Sequence, residues 1–153
     1  MKSNRSALHL LAHKIGLPDL VLNEESICEL VVGDGLEVFF EGDPDQHELH
    51  LNGVVGHLVF ADESLLRTLL AANFNGQATG GAALALHPVH PSELLLTQRL
   101  DTTALTGEQM KDTLTRFVEY LTFWQNHLPR LQESGETQPV PQQDAPVDQW
   151  LRV

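Results

Sequence analysis

The turns in the first half of the chain leave room for only one kind of sheet. Ile27 to Val32 is an apolar run broken by Glu29, and Gly33-Asp34-Gly35 follows as a turn in which glycine accepts positive φ at little cost. Leu36 to Phe40 then alternates, with Leu36, Val38 and Phe40 on one face. Gly42-Asp43-Pro44-Asp45 reads as a second turn, and His47 to Leu51 alternates again with Leu49 and Leu51 inward. Asn52-Gly53 is either a tight hairpin turn or a bulge inside a longer strand, and Val54 to Phe60 continues extended. Parallel neighbours need crossovers of a dozen or more residues. No connection here is that long, so the sheet is antiparallel.

Helical patterns flank this block. Ser3 to Ile15 carries Leu8, Leu11, Ala12 and Ile15 at i, i+3, i+4, i+7, with Ser3 or Asn4 as cap and Gly16 and Pro18 as the stop. Asp62 or Ser64 caps a second helix through about Asn73, whose stripe is Leu65, Leu66, Leu69 and Leu70. A short helix this apolar must be covered on more than one side. Ala82 to Leu86 and Glu93 to Leu100 read as two more strands, joined by His87-Pro88-Val89-His90-Pro91, where proline excludes helix and central strand. Thr106 caps the longest helix, in which Met110, Leu114, Phe117, Val118, Leu121, Trp124 and Leu128 keep the 3.6-residue period up to Pro129. The expected order is α-β-β-β-α-β-β-α, an α+β domain over residues 1–129 with helices packed on a twisted antiparallel sheet. Residues 130–153 are rich in Pro and Gln and read as a flexible tail.

Charge narrows the function. From Ile15 to Leu66 there is no Lys or Arg, against twelve acids: Asp19, Glu24, Glu25, Glu29, Asp34, Glu37, Glu41, Asp43, Asp45, Glu48, Asp62 and Glu63. With a net charge of −12 the chain lacks the positive footprint that nucleic acid or an anionic membrane surface demands. No stretch nears the roughly 20 apolar residues of a membrane span, and the N-terminal apolar patch, Ala7 to Ala12, is too short and too polar for a signal sequence. A cytoplasmic protein is expected. The acidic block is either a solubilising surface or a face that attracts a basic or amphipathic partner.

Catalytic chemistry finds little support. His9 and His13 have a chelating i, i+4 spacing but no third ligand, His47 and His50 fall on opposite strand faces, and His87 and His90 bracket a Pro-rich turn. The single cysteine, Cys28, sits in an apolar strand beside Glu29, with nothing electropositive near to activate it. Gly-x-Ser-x-Gly, P-loop and GxGxxG patterns are absent. No metal, cofactor or enzymatic activity is expected, and a small enzyme or metal binder is only the remaining alternative. The apolar faces together exceed what one small core hides, which points to a dimer interface and a groove for a peptide.

Several short motifs carry a resemblance. Ala12-His13-Lys14-Ile15-Gly16-Leu17-Pro18 closes the first helix, and Leu22-Asn23-Glu24 leads into the first strand. Asn52-Gly53-Val54-Val55-Gly56 lies in the third strand, Leu69-Leu70-Ala71-Ala72-Asn73 ends the second helix, and Gly80-Gly81-Ala82-Ala83-Leu84 opens the fourth strand. In their order over residues 3–129 these motifs resemble the class I type III secretion chaperones, the family of the Tir chaperone CesT and the Yersinia Syc proteins. The stretch Phe123-Trp124-Gln125-Asn126-His127-Leu128-Pro129 also resembles the anti-anti-activator branch, which regulates secretion genes by sequestering an anti-activator. The resemblance implies a bacterial cytoplasmic homodimer and an unwound effector segment wrapped around it, with secretion-apparatus components as a further partner class. It implies a partner groove formed by Leu8, Leu11, Ala12 and Ile15 with Leu36, Val38 and Phe40. It implies a dimer seam at Leu65, Leu66, Leu69, Leu70 and Phe74.

Overall fold

The computed structural model describes residues 4–17, 20–43 and 47–133. Its elements are α1 (Asn4–Ile15), β1 (Ile27–Val32), β2 (Leu36–Asp43), β3 (Glu48–His57), α2 (Glu63–Ala72), β4 (Ala83–Leu86), β5 (Glu93–Asp101) and α3 (Gly107–Glu133), with one 3-10 turn at Phe74–Gly76. The strands form one sheet in the order β1-β2-β3-β5-β4, and every pair is antiparallel, as the short turns require. The order of elements is the expected α-β-β-β-α-β-β-α. Pro18, Pro44, Asp45 and the Ser3 cap lie outside the described residues, as do residues 134–153 of the expected tail.

One face of the sheet is apolar. Leu30 pairs with Val38, Cys28 with Phe40, Phe40 with Leu51, and Leu49 with Leu100, all buried. α3 lies against this face with Met110, Leu114, Phe117, Leu121, Trp124 and Leu128 buried, and α1 adds Ala7, Leu8, Leu11 and Ala12. The other face alternates acids with apolar residues, as half-covered strands do: Glu29, Val31, Glu37, Phe39 and Glu41 all lie there.

Asn52-Gly53 resolves as continuous strand, with the irregularity just beyond, between Val54 and Gly56. The glycine serves helix contact rather than a turn, since a Cβ on Gly53 would overlap the Leu121 side chain. The strand stops at His57, so Val59 and Phe60 are not part of it and stand exposed.

The helix ends follow capping rules. Gly16 takes φ +74 and the Leu17 N–H donates to the Ala12 carbonyl at 2.9 Å, closing α1. Asp62 accepts from the Leu65 N–H at 2.8 Å at the start of α2. Thr106 and Gln109 exchange bonds, the Gln109 N–H to Thr106 Oγ1 at 3.1 Å and the Thr106 N–H to Gln109 Oε1 at 2.9 Å.

The stop at Pro129 is corrected: α3 continues through it to Glu133. Proline removes one helical bond and crowds the preceding turn. Two side-chain bonds hold the extra turn in place. Gln132 accepts from the Val59 N–H at 2.8 Å and donates to the His57 carbonyl at 3.1 Å, tying the end of α3 to the end of β3. The helix thus crosses the boundary expected at residue 129.

Candidate partner-binding surface

The two edges of the sheet are finished differently. The Gly42 N–H donates to the Ser26 carbonyl at 2.8 Å. In antiparallel alternation Cys28, Leu30 and Val32 then bond to β2, while Ile27, Glu29 and Val31 point their backbone groups outward. Ile27 is closed by one asparagine, its N–H donating to Asn23 Oδ1 at 2.9 Å and its carbonyl accepting the Asn23 N–H at 2.8 Å. Glu29 and Val31 have no backbone partner among the described residues; the Glu29 carbonyl meets only the Cys28 thiol, at 3.8 Å. Both residues are exposed.

At the opposite edge, β4 is closed along most of its length. The Leu84 N–H donates to Asn73 Oδ1 at 2.7 Å, and its carbonyl accepts from Asn73 Nδ2 at 3.0 Å. The Ala82 N–H donates to the Thr79 carbonyl at 3.1 Å, and the Thr79 hydroxyl donates to the Ala82 carbonyl at 2.5 Å. Only Leu86 remains outward and open among the strand's described residues. An uncovered strand edge is a template for another chain. That template here is β1.

Apolar recesses flank β1. At one end a groove of about 610 Å³ runs between α1 (Arg5, Leu8, His9 and Leu10) and Leu20, Val21 and Leu22. At the other end the β1–β2 hairpin overhangs a cleft of about 740 Å³. It is lined by Val32, Leu36, Phe39, Val54 and Val118, by the polar Thr122 and Gln125, and by the acids Asp34 and Glu37, with no Lys or Arg among the described residues of its lining. The cleft exists because the β2–β3 pairing runs only from Phe39 to Asp43, so β2 parts from β3 before Phe39.

The residues expected in the partner groove divide. Leu8, Leu11, Ala12, Val38 and Phe40 are 0% exposed in the single chain and belong to its core, and Leu8 also lies at the floor of the α1 groove. Ile15 and Leu36 are half-buried, and Leu36 lines the hairpin cleft. The groove on α1 is otherwise set by Leu10 and His9, off the stripe that the 3.6 period picks out. A periodic stripe marks the face turned to the core, and Leu10 and His9 of the groove sit on its flank.

The expected dimer seam divides likewise. Leu65 and Leu69 are buried in the core, and Leu66 is half-buried. Leu70 and Phe74 are 69% and 55% exposed. The Asn73–Leu84 bonds join their segment to β4, where Leu86 is also exposed.

The sites weighed for chemistry are placed as follows. Cys28 is buried, and burial pushes its thiol pKa up against a hydrogen bond from the Val21 backbone that pulls it down. The thiolate that nucleophilic chemistry needs is thereby disfavoured. His87 accepts the N–H groups of Val89 and His90 through Nδ1 at 3.1 and 3.0 Å, a turn-forming role. His9 and His13 are exposed. Among the described residues no three His, Cys, Asp or Glu side chains converge on a metal position, and no described helix is long and apolar enough to cross a membrane.

Comparison with solved structures finds the same fold in three assemblies. A chain of the ExsC–ExsE complex matches with a TM-score of 0.66 at 23% identity, covering 81% of this chain and 95% of that one. A chain of the HopA1–SchA chaperone–effector complex matches at 0.64 and 17%, covering 79% and 91%. A chain from the Yersinia pestis type III secretion chaperone SycH in complex with a fragment of YscM2 matches at 0.62 and 20%, covering 78% and 98%. Comparison with curated protein sequences finds no match. The family model of the Tir chaperone protein aligns with residues 6–125, most of the described fold, and the chain therefore belongs to the Tir chaperone protein (CesT) family.

Proposed function

We propose that the protein is a type III secretion chaperone that, as a cytoplasmic homodimer, holds a segment of a secreted effector extended and export-competent. The observation that carries this reading is the asymmetry of the sheet edges. β4 is closed by Thr79 and Asn73, whereas β1 offers the backbone of Glu29 and Val31 between two apolar recesses. Strand addition draws affinity from main-chain bonds and selectivity from side-chain recesses, which suits a partner held unfolded. Such holding needs no catalytic residue or cofactor. The structural neighbours support the reading, one coming from a chaperone–effector complex and one being a type III secretion chaperone.

The test is co-expression with candidate effectors of the same secretion system, followed by mass spectrometry of what co-purifies. The expected product is a soluble complex of two copies with one effector. Val31→Pro, which deletes an N–H without a partner among the described residues and is tolerated at a strand edge, is expected to lose most of the retained effector while keeping the wild-type circular dichroism spectrum. A chain that retains no export substrate, or a Val31→Pro variant that retains it fully, contradicts the proposal. The regulatory alternative predicts that deleting the gene alters transcription of secretion genes rather than the level of one effector.

A further inference from the structure

We infer that the β1 edge selects an extended segment whose side chains alternate apolar with Lys or Arg, the basic ones lying on the acidic outer face of the sheet. The inference rests on the strand-addition reading above and goes on to name the chemistry of the strand that is added.

Asn23 blocks the edge at Ile27, so an added strand is confined to the backbone of Glu29 and Val31 and is led on toward the hairpin at Val32. Side chains of an added strand alternate between the two faces. On the inner face they meet the ground beside Cys28 and Leu30, both buried, where an apolar side chain fits. On the outer face the strand's immediate neighbours are Glu29 and the exposed Val31, with Glu37 one strand further in, opposite Val31. Neither acid has an ion-pair partner among the described residues, in contrast to Glu48, which holds Arg99 at 2.9 Å. Opposite charges on adjacent strands attract and like charges repel.

The hairpin cleft asks for the same chemistry. Its lining sets the apolar Val32, Leu36, Phe39, Val54 and Val118, with the polar Thr122 and Gln125, beside the acids Asp34 and Glu37. A Lys or Arg side chain matches that mixture, its methylene stem suiting the apolar side chains and its charged head the two acids. The groove at the other end of β1 carries Arg5 and His9 instead, so the two ends differ in charge and the basic positions of a bound segment belong on β1 and at the hairpin.

The test uses the full-length chain, isotope-labelled, with three synthetic nine-residue peptides in which valine alternates with lysine, glutamine or glutamate. Binding is read from the amide shifts of Glu29 and Val31. The lysine peptide is expected to bind about tenfold more tightly than the glutamine peptide, and the glutamate peptide most weakly. In the variant Glu29→Gln/Asp34→Asn/Glu37→Gln this preference should fall to about twofold or less. It should persist in Asp112→Asn/Glu119→Gln/Glu133→Gln, which removes equal charge from the exposed face of α3 and so separates local reading from net charge. Equal binding of the lysine and glutamine peptides at Glu29 and Val31 overturns this inference and leaves strand addition standing. Equal loss of preference in both triple variants also overturns it. Shifts at neither residue with any peptide overturn the strand-addition reading itself.

Discussion

Phe40→Ala is expected to lower the free energy of unfolding by about 3–5 kcal/mol, a large part of the about 5–15 kcal/mol that holds a domain of this size together. Phe40 is 0% exposed, on a strand bonded on both sides, between Cys28 and Leu51 on the apolar face. No side chain nearby can fill the vacated volume without breaking its own packing. Phe39, the next residue, lies on the outer face and is half-exposed, so Phe39→Ala should cost about 1 kcal/mol or less. Urea unfolding at one fixed protein concentration measures both, the Phe40 variant losing midpoint with little change in slope. Equal costs for the two variants would contradict the assignment of Phe40 to the core and restore it as a candidate for the partner groove.

Leu70→Asp combined with Phe74→Asp is expected to convert the proposed dimer to monomers at micromolar concentration, with a dissociation constant raised by about a thousandfold or more. Both side chains are largely exposed in the single chain. A twofold seam would bring both positions in from each copy, burying four unpaired carboxylates. Because Asn73 and Thr79 occupy the outward backbone of β4, this seam is expected to pack side chains rather than to continue the sheet. Sedimentation equilibrium distinguishes the outcomes. A doubly substituted chain that stays dimeric places the interface elsewhere. Leu65→Asp or Leu69→Asp should instead unfold the domain, since those two leucines pack inward.

These contrasts show which parts of the molecule its sequence makes legible. The alternation of Leu36, Val38 and Phe40, the Gly33-Asp34-Gly35 turn and the Thr106–Gln109 box are local signals, and each forms the element its chemistry specifies. Gly53 carried an ambiguous signal because glycine serves both turns and close packing, and only the position of Leu121 across the core decides between them. Pro129 is a helix stop by local rules, yet here the bonds from Gln132 to residues more than seventy positions away favour continuation.

The site was less legible than the fold. Period identifies which residues share a face but not what covers that face. Leu8, Leu11 and Ala12, placed in a partner groove by the family resemblance, are fully buried in the single chain, on a helix packed against α3. The closing of the sheet edges was not legible at all. The Asn73 side chain carries a donor and an acceptor like a peptide group and finishes Leu84 with both, whereas Asn23 closes Ile27 with its side-chain oxygen and its own backbone N–H. Nothing nearby in sequence marks these asparagines apart from turn formers. The long stretch without Lys or Arg was visible from the start, but its meaning depends on place. On the sheet it supplies Glu29, Asp34 and Glu37 beside the one edge left open.

Amide hydrogen exchange of Glu29 and Val31, followed residue by residue in the free protein and in its complex with a co-purified effector, tests the central claim most directly. Both residues are exposed and their amides have no partner among the described residues, so in the free protein they should exchange much faster than those of Cys28 and Leu30 on the same strand. In the complex they should slow by about a hundredfold or more, as strand amides do when a ladder forms, with little change at Leu84, whose N–H already has a partner. A complex in which Glu29 and Val31 still exchange as fast as in the free protein would contradict the account.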